Sequence, residues 1–445
     1  MCSANLYSAC RPALAISGKR IILFLMFLWK SMFLRSTAML KQLAELLKIS
    51  PAPKKDLPVS ADTIIQTEAI IQAAVAAGLA PALADALREQ AAELDGNTAL
   101  AQYFNTIAPA VFNQTLSTEN LDVIPETVGC LSQTGEYAFF ALLALYAAPS
   151  RRAAFAAAGL PEDSADNAVK DVFIWMEHFY RNCKLAGLSG RIVGWDASVL
   201  NGVPLTLGRM QYVLKKFHDP LLVYRNCTTG QVLALAGEGA VFDRNGFSNA
   251  EDLPADPQSW TAHFTENAGS VTGNPIYPCG RAGKEPVTLD LAQWKLQFKQ
   301  GDWTLDTHIP EGPDLKLDDC RESMLRAWQF FREKHPDKEI KSFSCLSWLL
   351  DPQYEKLLKP GSRIVAWMQQ YYLFPIPESG ADALWRIFGE DGMKNGLENA
   401  PRNTSMQKNI AAFLEQGGSL RAGGGFILPD DLARYGSTPY RPAGK

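Results

Sequence analysis

Apolar residues at Ile64, Ile65, Ala69, Ile71, Ala74 and Val75 fall near helical spacing, which predicts an amphipathic helix. Gly78 and Pro81 break this alanine-rich stretch into two helices. "TGEYAFFALLALYAAPSRRAAFAAAGLP" reads as a buried helix stopped at Pro149 and a short helix ending at Gly159. "SADNAVKDVFIWMEHFYRNCKLAG" predicts a further helix, with Ser164 or Asp166 as N-cap and Gly187 as its stop. The chain is therefore helical from Met39 to about Gly190.

Past Gly190 the period drops to two. "VPLTLGRMQYVLKKF" alternates Leu205, Leu207, Met210 and Tyr212 and predicts one strand that contains Gly208 and Arg209. "LLVYRNCTTGQVLALAGEG" predicts a hairpin. Residues 242–286 are rich in Asn, Gly, Pro, Asp and Ser and predict a long surface loop. "LDLAQWKLQF" reads as a short helix or turn, and "GDWTLDTHIP" as a strand. The helix after it takes Asp318 as N-cap and buries Cys320, Met324, Ala327, Trp328 and Phe331. "EIKSFSCLSWLL" predicts a strand, and the segment after it a helix running into another strand. "ADALWRIFG" fits a strand or short helix, and "SMQKNIAAFLEQG" a helix. "AGGGF" reads as a tight bend beside a terminal strand. The fold class is α+β: an all-helical N-terminal domain, then a mixed sheet flanked by helices.

Composition narrows the function classes. Of 445 residues 47% are hydrophobic, and a net charge of -4 offers no basic footprint for nucleic acid. The eight cysteines include no CxxC pair, which argues against a structural metal and for reduced thiols in the cytoplasm. The apolar run from Ile21 to Trp29 is broken by Lys30, short of the roughly 20 residues a membrane span requires. Residues 1–38 are read as a non-native or disordered extension, with Met39 opening the native chain at "MLKQLAELLKIS". A membrane-anchoring helix is the minority reading.

Alternation in "WTLDTHIP" places Thr304, Asp306 and His308 on one face of the strand. The strand–turn–helix that follows aims free N–H groups at the turn, where an anion is favoured. Asp314, Asp318 and Asp319 surround that helix start, so the anion is either a phosphate or these carboxylates themselves. Cys345 reads as a buried, inert thiol before it reads as a nucleophile, because no His–Asn or His–Asp partnership accompanies it. Arg209 suits a carboxylate or phosphate clamp, or a solvated strand edge. His178 lies in an aromatic helix and reads as packed.

Taken in order, "LGRMQY", "GDWTLDTHIPEGP", "CRESMLRAWQFF", "FSCLSWLLDP", "ALWRIFG" and "LRAGGGF" resemble a bacterial acyltransferase family. Its members pair a helical N-acyltransferase N-terminal domain with a GNAT-like C-terminal domain. The resemblance implies a helical domain over 39–190 and a GNAT-like, mostly antiparallel sheet over 191–445. It implies acyl transfer from acetyl-CoA or another acyl-CoA to a small-molecule amine, with no metal and no membrane or nucleic-acid partner. The donor pyrophosphate would sit at the turn from His308 to Asp319, with Ile309, Pro310, Gly312, Cys320 and Ser323 beside the donor. His308 would be the base, tuned by Asp306, with Glu311 as the second candidate. Tyr354, or Tyr371 and Tyr372, would supply the acid. Arg209, Gln211, Cys345 and Ser347 would meet the acceptor. The family's [QR]xxGx[GA] loop is missing here, so the alternative is a non-catalytic, GNAT-shaped ligand-binding or scaffold protein.

Overall fold

The structure is a computed structural model that describes residues 40–441 apart from 56, 251, 252, 255, 313 and 390–395. The expectation about residues 1–38 lies outside the described residues. The chain forms two units: residues up to Ala158 with Phe179–Asn201, and Gly159–His178 with the chain from Gly202 onward.

The first unit contains helices α1 (Thr67–Ala76), α2 (Pro81–Ala91), α3 (Thr98–Val111), α4 (Gln133–Leu145) and α5 (Arg151–Ala157). Pro81 occupies the first turn of α2, where its missing N–H has no helical partner to lose. Phe139, Phe140, Leu142 and Leu143 of α4 are fully buried and form the centre of this unit. Arg151 is buried with them, and its guanidinium donates to the carbonyls of Phe112, Asn113 and Leu200 and to Asn201. The division between units runs through α6 (Glu162–Cys183), and α7 (Gly190–Leu200) closes the helical region. Helix α6 begins before the expected Ser164 or Asp166 cap. Ser164 is inside the helix, and its hydroxyl donates to the Thr206 carbonyl at 2.7 Å.

In the second unit the strands are β1 (Leu205–Leu207), β2 (Met210–Lys216), β3 (Leu221–Asn226), β4 (Val232–Ala236), β5 (Pro275–Tyr277) and β6 (Arg281–Ala282). They continue with β7 (Trp294–Lys299), β8 (Trp303–His308), β9 (Ile340–Ser347), β10 (Tyr372–Ser379) and β11 (Arg421–Ile427). The main sheet runs β10-β11-β9-β8-β2-β1, and every neighbouring pair is antiparallel except β8 with β9. A parallel pair needs a crossover, and α8 (Leu317–Lys334) supplies it. The second sheet runs β6-β5-β4-β3-β7. Phe217 and Phe426 pack against Phe298 of β7 at ring distances of 5.1 and 5.0 Å, and Phe217 also meets Phe374 at 6.0 Å. These edge-on aromatics are the core between the sheets. Four short helices follow: α9 (Tyr354–Leu357), α10 (Arg363–Met368), α11 (Ala381–Phe388) and α12 (Ser405–Glu415).

Several expectations are corrected. The single strand over "VPLTLGRMQYVLKKF" is a hairpin of β1 and β2 that turns at Gly208-Arg209, and Gly208 takes φ +73, where a side chain is strained. Residues 242–286 are short ribbons, including Trp260–Thr261, Phe264–Glu266 and Ser270–Gly273, joined by the Asn and Gly turns that suggested a loop. "LDLAQWKLQF" is two strands, Val287–Asp290 and β7, and a bulge between Leu296 and Phe298 interrupts the alternation of β7, leaving Leu296 exposed and Phe298 buried. "AGGGF" is the interior of β11. A Cβ on Gly424 would lie 2.2 Å from the Phe374 ring, so the glycines make room for aromatics across the pair. Helix α8 takes Lys316, not Asp318, as N-cap, with no side-chain capping bond.

Candidate functional site

Strands β8 and β9 are paired only from Trp303/Ile340 to Asp306/Ser344. Beyond that, Thr307 and His308 pair with Tyr212 and Gln211 of β2, while Cys345 to Ser347 pair with β11. The main sheet therefore parts beside His308, at its one parallel seam.

On one face of this seam lies a polar cluster. Asp306 is 4% exposed. Its Oδ2 lies 2.7 Å from Lys215 Nζ and 3.1 Å from His308 Nε2, and Ser344 Oγ donates to Oδ1 at 3.2 Å. Burial works against ionising this carboxyl, but the hydrogen bond with His308 and the charges of His308 and Lys215 prevail and hold it below its ordinary value. Two sequence neighbours on one face thus do touch. Asp219 stands close to Lys215 and Asp306, and burial pushes its carboxyl up to about 6.

The turn after β8 carries Ile309 and Pro310, both half-buried, and the exposed Glu311 and Gly312. Arg209, in the β1–β2 turn rather than a strand, donates from Nη1 to the Pro310 carbonyl at 3.2 Å. Burial pulls its guanidinium down, while nearby Cys320, Glu311 and Asp319 act in the opposite direction. A Cβ on Gly312 would face Ile174 of α6 at 3.8 Å, so the turn lies over that helix. One helical turn earlier on α6, Asp171 accepts from Gln211 Nε2 at 3.4 Å. Asp171 is pushed up to about 6 by burial, against the lowering bond from Gln211, and the Glu311 charge adds to the rise. At the start of α8, Asp314 pairs with Arg363, and Asp318 and Asp319 are exposed in the first turn.

On the opposite face of the main sheet α8 packs against β1 and β2. Ser323 Oγ accepts from Met210 N at 3.0 Å, bonds Tyr212 Oη at 2.8 Å and donates to the Leu207 carbonyl. Ser323, expected along the donor, instead fastens the β1–β2 hairpin to α8. Cys320, expected beside it, is fully buried, and burial pushes its thiol up to about 11. Cys345, expected to meet the acceptor, is likewise fully buried on this closed side, with its thiol raised by burial. Ser347 accepts from Leu349 N at 3.1 Å and caps the short turn after β9.

The tyrosines divide. Tyr354 packs with Trp348, Ala383 and Ile410 in an apolar cluster, with its hydroxyl buried and unpartnered. Tyr372 Oη lies between the second-sheet groups Ala234 N and the Ile276 carbonyl, bonded to both. Neither is brought to His308. Tyr371 is fully buried with an unpartnered hydroxyl, close enough to Cys345, Tyr212 and Cys320 for their charges to act on it.

Four residues of the cluster were not singled out from sequence: Lys215, Asp219, Ser344 and Asp171. Gln211 and Lys215 are even-spaced along β2, and Ser344 faces Asp306, so the register between strands was the missing signal for two of them. Asp171 had no local signal, since α6 comes from another part of the chain. Among the described residues no group of three or more His, Cys, Asp or Glu could hold a metal ion, and no helix is long and apolar enough to cross a membrane.

The profile of the GNAT-like C-terminal domain matches residues 205–427. A crystal structure of an acyltransferase in complex with decanoyl-CoA and teicoplanin superposes with a TM-score of 0.54 at 18% identity, covering 88% of this chain and 95% of that one. A mutant acyltransferase in complex with octanoyl-CoA superposes at 0.53 with 19% identity, over 89% and 96% of the two chains. At such identities the likeness is one of fold. A search of curated proteins finds no match.

Proposed function

Because this chain belongs to the family of the GNAT-like C-terminal domain, we propose that it moves an acyl group from acyl-CoA to a primary amine at the seam beside His308. The observation that carries the reading is the parting of β8 and β9 next to an imidazole already bonded to a buried carboxylate. Similar folds in complex with octanoyl-CoA and decanoyl-CoA support the choice of donor. The free cysteines among the described residues agree with a reducing, cytoplasmic setting.

An acceptor arrives as an ammonium, and His308 takes one proton from it. Asp306, kept ionised by Lys215, stabilises the imidazolium. The freed lone pair attacks the thioester carbonyl; a C–N bond forms as the C–S bond breaks. The amide nitrogen passes its second proton to the departing thiolate, and the imidazolium returns its own to water. Backbone N–H groups at the turn polarise the carbonyl. Asp318 and Asp319 favour the rival reading, a GNAT-shaped binding protein without turnover, since they repel a pyrophosphate.

The test is release of free thiol from octanoyl-CoA by the full chain in the presence of primary amines, with a thermal melt in CoA alongside. A ligand at 100 times its Kd stabilises by about 2.7 kcal/mol. Thiol release that depends on amine, together with a raised melt, supports the enzyme. With neither effect, the binding-protein reading replaces it.

A further inference from the structure

We propose that the cavity where α8 hands over to β9 is a binding site for an aromatic monocarboxylate, separate from the seam at the other end of β8. The cavity measures about 850 Å³ and is lined in part by Trp328, Arg332, Pro336, Lys338 and Ile340. Its place in the fold follows from register. Trp303 opens the strand that His308 closes, and it pairs with Lys216 of β2 on one side and Ile340 of β9 on the other. Leu305 pairs with Phe343, whose ring meets Trp328 of α8 at 6.1 Å. Alternation therefore puts Trp303 on the α8 side of the sheet, away from the Asp306–His308 face.

Three cations gather here, and each answers to a ring rather than to a carboxylate. The Arg332 guanidinium lies over the Trp328 ring at 5.2 Å. The Lys338 and Lys216 ammoniums lie over the Trp303 ring at 4.6 and 4.1 Å. Among the described residues none of the three forms an ion pair. An indole face attracts a cation without neutralising it, so N–H groups turned from the ring stay open to an anion.

The acids of the lining fix the size of that anion's charge. Glu339 pairs with Lys341, and Glu333 accepts from Gln329 Nε2 at 3.0 Å, while Asp337 completes the set. Three carboxylates repel a polyanion more strongly than a singly charged acid. Arg332 sets the preference for a flat ring. Trp328 takes one face of its guanidinium, and Arg332 is exposed in the lining, so an aromatic plane can stack on the other. Aromatic walls with a few charged groups that fix orientation are the usual make-up of a small-molecule pocket.

Calorimetry on the full chain at pH 7.5 and low salt tests this with 2-naphthoate, 2-naphthylmethanol and cyclohexanecarboxylate. The naphthoate should bind, and the neutral alcohol and the non-aromatic acid at least about tenfold more weakly. Arg332→Gln and Lys338→Gln should each weaken naphthoate by about tenfold, with melting temperatures confirming the fold. If one variant fails to fold, the other carries the test. Equal binding of either control compound, or wild-type binding by a folded variant, overturns the proposal. Displacement of naphthoate by octanoyl-CoA would place the ligand at the seam and overturn it as well; binding that survives saturating octanoyl-CoA supports it. Amine-dependent thiol release reports on the acyl-transfer reading alone, and its absence would leave this site standing.

Discussion

The two faces of the main sheet around β2 and β8 use similar residue types to opposite ends. Towards α8, Tyr212, Ser323 and the backbone of Leu207 and Met210 exchange hydrogen bonds until the Ser323 hydroxyl is fully used, and the two thiols beside them are buried and protonated. On the other face, Asp306 touches both Lys215 and His308, and Gln211 retains an unpaired oxygen. Satisfied polar groups lock a structure, whereas buried ones held short of satisfaction are stores of binding free energy. One sheet therefore carries a structural side and a chemical side, divided by the alternation of its strands.

The sharpest break in this contrast is His308→Ala, expected to lower the rate of amine-dependent thiol release by about 10²- to 10⁴-fold with little change in urea stability. Asp171→Asn comes next. The folded carboxyl titrates near 6 against an ordinary value of 3.8, so its contribution to stability is fully present below about 3.8 and is lost as pH rises to about 6. Urea unfolding should show the variant gaining on the wild type by on the order of 3 kcal/mol between pH 4 and pH 7. On the structural face, Ser323→Ala should cost about 1–3 kcal/mol, measured by denaturation, because Met210 N and Tyr212 lose a shared partner. The smallest effect belongs to Cys345→Ala: about 1 kcal/mol of stability and unchanged turnover. A large loss of turnover there would erase the distinction between the faces.

Much of this was legible in the chain. Helical periods located α1, α2 and α4, and alternation assigned Asp306 and His308 to one face before any coordinates. What alternation does not carry is register. It left Gly208-Arg209 inside a strand instead of at a hairpin turn, and it did not bring Lys215 or Ser344 to Asp306. The family resemblance puts Ser323 and Cys320 beside the donor, whereas the helix turns them towards β1 and β2. Ribbon strands of two to four residues in 242–286 are too short for any period to emerge.

The glycines of β11 have a consequence for how this sheet can change over generations. Phe374 leans into the space above Gly424, its partner across the ladder. Neither position can be altered alone without a collision or a void, so the seam admits only compensated double exchanges, a larger residue on one strand with a smaller one on the other.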